Sequence, residues 1–403
     1  MNSGFLKLFL GFFLIGTVSC TAKTQINSEK KESSQVEESK EIELGIARMK
    51  KYLPLLQNKK VGVVSNHTSI INGVHLVDTL LSLKVDVVKV YSPEHGFRGK
   101  ADAGETVKSE TDTKTNLPII SLYGSNKKPS KQQLAGIEVL VFDMQDVGAR
   151  FYTYISTLHY VMEVAAENGI PVIVLDRPNP NGNFVDGPIL ETEYKSFVGM
   201  HPIPVVHGMT IGEYAKMING EVWLRNRVEC ELSVITCSNY DHKMKYDVEV
   251  SPSPNLPNMA SIYNYASICF FEGTIVSVGR GTDLPFQQIG HPDLKGYEYS
   301  FTPNPSFGAK DPKLNGEKCF GIDLTKEERR NQLDLINLIS VYGQLGENHK
   351  FFTNYFNLLV GNAKLKEQIK SNISEEEIRK SWEEGLIQFK KTRKKYLLYP
   401  DFE

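Results

Sequence analysis

Five short apolar runs punctuate the first half of the chain, at residues 60–64, 85–90, 118–122, 137–142 and 171–175. They are β-branched or aliphatic, continuous, and too short for amphipathic helices, which predicts buried parallel strands. Between them, residues 75–84 and 155–168 read as helices, the second closed by Gly169 at a left-handed C-cap position before Pro171 opens the next strand. This alternation predicts a Rossmann-like, doubly wound α/β domain. Ligands of such sheets bind beyond the carboxyl ends of the strands. Here the runs end in Ser65-Asn66-His67, in Ser92-Pro93-Glu94-His95-Gly96-Phe97-Arg98-Gly99, in Tyr123-Gly124, in Asp143-Met144-Gln145-Asp146 and in Asp176-Arg177-Pro178-Asn179. A site rich in carboxylates and basic groups is therefore expected along one edge of the sheet.

The rhythm changes after a Gly/Pro-rich passage near residues 195–210, so the first domain is expected over 45–200 and a smaller C-terminal α/β domain over 201–403. In the second half, Thr210 with Glu213 forms a capping box that opens a helix through about Leu224. Residues 231–236 read as a strand, and Pro252, Pro254 and Pro257 mark a loop. Residues 270–280 are partly strand-like and lead into Gly279-Arg280-Gly281-Thr282. Ser374 with Glu377 makes a second capping box, opening a helix through roughly Tyr396.

The start of the chain has another character. Lys7 precedes an apolar run at 8–18 that is too short for a comfortable membrane span and ends in Ser19-Cys20, which reads as a secretory signal over residues 1–20. The Cys after a small residue is similar to a bacterial lipoprotein cleavage site. Thr17 stands where leucine is usual, which leaves plain signal cleavage or an uncleaved anchor open. Residues 21–44 hold little that could build a core and read as a flexible linker, so an exported, periplasmic enzyme anchored to the membrane as a lipoprotein is expected.

At 403 residues, 40% hydrophobic and 23% charged, the remainder can bury a large core. A net charge of −2 gives no footprint for nucleic acid. Cys230, Cys237, Cys269 and Cys319 show no metal-ligand spacing, and pairing of Cys230 with Cys237 stays open. The nine His are scattered without an HExxH, the first strand lacks GxGxxG, and no GxSxG elbow or phosphate loop occurs, so neither a metal nor a cofactor is expected.

Glu94 follows a predicted strand within a turn of Pro93, Gly96 and Gly99, where its carboxyl should project from the sheet edge as a general acid or base, or else pair with Arg98. Asp143 and Gln145 share one face of the next strand exit, and Asp146 belongs to the turn or caps the following helix. Carboxylates on neighbouring strand ends suit glycosidic-bond cleavage. Asp176, Arg177 and Asn179 sit in a turn stiffened by prolines, either to bind a polyhydroxylated ligand or as a structural pair.

Seven motifs in order carry a resemblance: SPEHGFRG at 92–99, DMQDVGARFYTY at 143–154, DRPNP at 176–180, HGMTIGE at 207–213, SPNLP at 253–257, FEGT at 271–274 and GRGT at 279–282. Over roughly residues 45–400 the chain resembles the bacterial exo-β-N-acetylmuramidases, with Asn264 where that family usually has proline. The resemblance implies a site in the cleft between the two domains and removal of terminal β-linked N-acetylmuramic acid from the non-reducing ends of peptidoglycan fragments. It implies Glu94 as general acid, with Asp146 or Asp143 as second group unless the substrate's own 2-acetamido group attacks. Arg98, Arg150, Arg177 and Arg280 become candidates for the lactyl carboxylate, Arg280 first because its glycine flanks permit close approach. Asn66, His95, Gln145, Tyr152, Asp176, Asn179 and His207 complete the expected sugar-binding set. A non-catalytic peptidoglycan-binding lipoprotein and a cell-wall esterase or amidase remain the alternatives.

Overall fold

In the computed structural model, residues 41–94, 96–98 and 110–403 are described; His95, and residues 1–40 on which the expected signal and most of the expected linker fall, lie outside the described residues. In chain order the first strands are β1 (Val61–Ser65), the small hairpin β2 (Ile70–Ile71) and β3 (Val74–His75), β4 (Val87–Ser92), β5 (Glu110–Thr111), β6 (Pro118–Ser121), β7 (Val139–Asp143), β8 (Val172–Leu175) and β9 (Leu232–Ile235). Seven of them form one sheet in the order β5-β6-β4-β1-β7-β8-β9, parallel throughout except for β5 at one edge. The chain runs outward from β1 to β4 and β6, then returns to β7 and proceeds the other way. This reversal beside β1 is the switch point at which such sheets bind ligands.

Successive side chains of a strand point to opposite faces, and here both faces are buried. Val61 and Val63 of β1, Val139 and Val141 of β7, and Ile173 and Leu175 of β8 join one core with α1 (Met49–Leu56) and α2 (Leu76–Ser82). Val64, Leu140, Phe142, Val172 and Val174 face the other core with α3 (Tyr154–Glu167) and α4 (Ile211–Gly220). Two covered faces explain why these strands read as unbroken apolar runs instead of alternating ones. Gly169 has the expected positive φ of 65° after α3. Both capping boxes form, at Thr210 with Glu213 and at Ser374 with Glu377.

The second half contributes a three-stranded antiparallel sheet, β10 (Gln288–His291), β11 (Ser300–Phe301) and β12 (Cys319–Asp323), with β12 in the middle. Around it lie α5 (Met259–Ile268), α6 (Ile336–Leu345), α7 (Tyr355–Val360), α8 (Lys364–Lys370) and α9 (Glu375–Arg393). The larger core runs without interruption from α3 into Phe270, Phe271, Leu338 and Phe356.

Several boundaries differ from the sequence-based expectation. The first sheet does not end at residue 200: β9 pairs in parallel with β8, so the strand expected at 231–236 is the sheet's last member. Residues 270–280 form no continuous strand: their apolar start is a 3-10 turn, Cys269–Gly273, packed against α7, and only isolated antiparallel bridges follow, at Thr274 with Phe352 and at Ser277 with Gly290. The linker expected to reach residue 44 stops short of it, because Glu43 pairs with Ser238 through backbone hydrogen bonds in both directions. Helix α4 stops at Gly220, just before Val222 adopts a positive φ of 55°.

Candidate active site

The exits of β4, β6 and β7 open into a cavity of about 580 Å³, closed on the far side by residues of the second half. Glu94 enters it directly after β4, Tyr123 after β6, and Tyr152 and Tyr154 after β7. From the other half come Tyr265 of α5, Glu272 of the 3-10 turn, and Arg280. A second hollow of about 540 Å³ adjoins the first, with Glu94, Glu272 and Arg280 in both linings, and continues beside Ser277 and residues 308–313. Those three charged side chains therefore mark the junction of a two-lobed groove.

At the junction, Arg280 Nε donates to Glu272 Oε2 at 3.1 Å, and its guanidinium lies 4.9 Å from the centroid of the Phe286 ring. Burial pulls the Arg280 guanidinium down, but the charges of Glu272 and, more weakly, Glu94 hold it above its ordinary value. The Tyr123 phenol is pushed up by burial first, then by the charge of Glu94, to which its hydroxyl is hydrogen-bonded. Glu94 is thus partnered in the cavity by a tyrosine, not by Arg98 as the sequence allowed.

The wall beneath these groups is assembled from strand exits. Asn66, after β1, donates from Nδ2 to the Tyr154 hydroxyl at 2.7 Å while its Oδ1 accepts from Thr68. The hydroxyls of Tyr152 and Tyr154 donate to the Pro252 carbonyl at 2.8 and 3.2 Å, and the two rings meet edge to face. The His67 ring contacts the Ser251 carbonyl at 2.8 Å. The proline-rich loop after residue 250 is thereby tied to β1 and α3, which places Ser253 and Asn255 in the cavity lining.

Among the described residues, the remaining sequence candidates do not line either lobe. Asp143 is fully buried and paired with Arg177, Nε to Oδ1 at 2.7 Å and Nη2 to Oδ2 at 3.0 Å, so neither is available to a sugar. Arg98 is shared between Asp78 and Asp112, at 3.1 and 2.7 Å, and covers the Phe97 ring. Arg150 is fully buried and donates to the carbonyls of Pro188, Ile203, Leu359 and Val360; burial lowers it to about 9. Gln145 Nε2 donates to the carbonyls of Asp146 and Pro178.

Asp176 accepts from Thr210 Oγ1, Gly212 N and the Tyr399 hydroxyl, and burial raises it to about 6. Asn179 Nδ2 donates to the Met209 carbonyl, and its side chain packs so tightly on Gly148 that any Cβ there would lie 2.3 Å from it. Asp146 does not cap α3, whose N-cap is Thr153; its Oδ2 accepts from Gly148 N at 2.7 Å, and its Oδ1 has no hydrogen-bond partner among the described residues. His207 Nε2 lies 3.8 Å from that Oδ2, and burial lowers His207 to about 3. Cys230 and Cys237 are both free and buried.

Of the expected site residues, the structure brings Glu94, Tyr152 and Arg280 together, supported from behind by Asn66. The sequence-based list omitted Tyr123, Tyr265 and Glu272. Glu272 lay within the FEGT motif, and an acid set between Phe271 and Gly273 in an otherwise apolar stretch was the available signal.

The chain matches the family models for exo-β-N-acetylmuramidase NamZ, the N-terminal part over residues 61–260 and the C-terminal part over residues 263–399. It is 37% identical over 425 aligned residues to the peptidoglycan β-N-acetylmuramidase NamZ of Bacillus subtilis (strain 168), covering 99% of this chain and all of that protein. Two crystal structures of DUF1343 family proteins from Bacteroides fragilis NCTC 9343 share the fold. One has a TM-score of 0.84 at 45% identity and covers 90% of this chain and 100% of its own; the other has 0.77 at 29%, covering 89% and 99%. With two-part matches in sequence order, near-complete coverage and a groove between the two halves, the chain belongs to the exo-β-N-acetylmuramidase NamZ family.

Proposed function

We propose that the protein is an exo-acting glycoside hydrolase that removes terminal, non-reducing β-linked N-acetylmuramic acid from peptidoglycan fragments. The observation that carries this reading is the junction of the two lobes, where Glu94, Glu272 and Arg280 are common to both linings. A glycosidic bond lying across that junction has the terminal sugar in one lobe and the leaving sugar in the other. Glycosidases place their acid at such a boundary.

Glu94 gives its proton to the glycosidic oxygen as the bond from C1 to that oxygen breaks and the electron pair leaves with the oxygen. Glu272 supports the positive charge that develops at C1, and Arg280 fixes the Glu272 carboxylate through the Nε hydrogen bond. Water supplies hydroxide to C1, and its remaining proton restores Glu94. Asp143 and Asp146 support the fold, since neither lines the groove.

The protein acts outside the cytoplasm, held to a membrane through a lipid on Cys20 and the polar tether that follows. Incorporation of labelled palmitate, lost on Cys20→Ser, tests the anchor; label retained by the variant rejects it.

Activity is tested by chromophore release from a β-linked N-acetylmuramic acid glycoside and from its N-acetylglucosamine analogue, with wild type and Glu94→Gln. Hydrolysis that strongly favours the muramic substrate over its analogue, lowered roughly 10²–10⁴-fold in the variant, is the expected result. Sugar binding without turnover by the wild type would favour a binding lipoprotein, and release of acid or amine without a new reducing end would favour an esterase or amidase.

A further inference from the structure

N-acetylmuramic acid differs from N-acetylglucosamine by a lactyl ether ending in a carboxylate, so a site that separates the two sugars needs a cation within reach of that group. The arginines near the strand exits do not supply it. Arg98 is occupied by Asp78 and Asp112, Arg177 by Asp143, and Arg150 by four backbone carbonyls. Arg280 is in the groove but already engages Glu272 at the junction.

Lys127 remains. It lines the larger lobe, is half-buried, and has no acidic partner among the described residues. Its Nζ stands 4.4 Å from the centroid of the Phe197 ring, which lines the same lobe. Phe197 is itself held in place: its carbonyl accepts from Ser156 Oγ at 2.7 Å, and its ring stacks on Tyr160 at an interplanar angle of 11°. The loop that carries Lys127 is pinned as well, since Asn126 Nδ2 donates to the Ser121 carbonyl at 2.6 Å.

The adjacent lysine shows how specific this placement is. Lys128 turns toward α3, where its Nζ reaches Glu163 at 2.7 Å and Glu167 at 2.9 Å. Lys127 instead rests on an aromatic face. A ring attracts a cation without taking up its N–H donors as a carboxylate would, so the ammonium stays available to an anionic ligand.

We propose that Lys127, supported by Phe197, forms a carboxylate-binding end of the larger lobe and reads the lactyl group of the terminal sugar. The inference rests on the muramidase reading above and assigns the source of its sugar specificity.

The test compares wild type, Lys127→Met, Lys127→Arg and Arg280→Met on chromogenic β-glycosides of N-acetylmuramic acid and N-acetylglucosamine. Calorimetric binding of free N-acetylmuramic acid and a thermal melt accompany the kinetics. Lys127→Met is expected to lose roughly 10- to 100-fold in kcat/KM on the muramic glycoside, the size of one charge-assisted contact, with slow turnover of the other glycoside unchanged. Lys127→Arg should keep most of the preference, while Arg280→Met should depress both substrates together. An unchanged substrate ratio and unchanged sugar binding in a folded Lys127→Met protein would overturn the assignment. A wild type that binds N-acetylmuramic acid through Lys127 but cleaves neither glycoside overturns the muramidase reading and leaves the carboxylate site standing. A wild type that does not bind the sugar overturns both.

Discussion

Asp143 and Arg177, at the exits of the neighbouring strands β7 and β8, are locked together by two charge-assisted hydrogen bonds of 2.7 and 3.0 Å in a place closed to solvent. Each has its charge cancelled by the other, and the pair ties the ends of two central strands. These residues look catalytic as isolated letters and are structural as partners.

Removing one member of that pair leaves an uncompensated buried charge. Arg177→Met alone should cost about 3–5 kcal/mol, whereas Asp143→Asn with Arg177→Met should cost less than the sum of the two single changes. Urea denaturation of the four proteins checks this. Additive losses would mean that the two side chains do not depend on each other.

Arg150 does similar work between the halves of the molecule, since Pro188 and Ile203 lie on one side of its guanidinium and Leu359 and Val360 of α7 on the other. Gly361 is part of the arrangement: it has a φ of 83°, and a Cβ there would stand 2.7 Å from Arg150 Nη2. A lysine cannot span four carbonyls with one ammonium. Arg150→Lys should therefore destabilise the fold by about 2 kcal/mol or more, seen as a lower urea midpoint, even though the charge is kept. A midpoint matching wild type would show that the fork geometry contributes nothing.

Glu272 and Asp146 are separated by a direct comparison of rates. Glu272→Gln changes a carboxylate at the junction and should lower kcat roughly a hundredfold or more, while Asp146→Asn, whose residue lines neither lobe, should leave most of the activity in place. The reverse ranking in folded proteins would restore Asp146 to the chemistry and remove Glu272 from it.

The strands were legible because burial on both faces of a parallel sheet writes continuous apolar runs, and the capping boxes at Thr210 and Ser374 because their chemistry is local. Strand β9 was legible as a strand but not as a member of the first sheet. It lies at the sheet's edge with three of its four positions not fully buried, so its pattern carries no sign of the neighbour it pairs with. The site divides in the same way. Glu94 could be found because a carboxylate in a glycine-rich turn after a buried strand has few places to go except the sheet's edge. Arg98 and Arg150 could not be sorted from Arg280, because sequence gives the charge and withholds the acceptors around it. Lys127 was hidden for the opposite reason: what distinguishes it from Lys128 is the direction of its side chain and the ring beneath it.

The buried carboxyl of Asp146 gives a pH signature with a definite sign. Burial raises it from 3.8 to about 7, outweighing the hydrogen bonds from Gly148 and Val147. A carboxyl with a higher pKa folded than unfolded keeps its proton longer in the native state, so its effect on stability is most favourable below about pH 4 and declines as pH rises toward 7. His207, 3.8 Å away, is lowered to about 3 and stays neutral in the native state between pH 5 and 8, so its own gain in stability with rising pH, from the unfolded imidazole, is common to both proteins and cancels in the comparison. Asp146→Asn cannot ionise and lacks the decline. Relative to wild type it should gain roughly 3 kcal/mol between pH 5 and pH 8, with most of the gain complete by pH 7. Urea unfolding of both proteins at the two pH values measures the difference directly. A constant gap would show that Asp146 does not titrate in this window, and a gap that narrows with rising pH would show that its charged form is the one the fold stabilises.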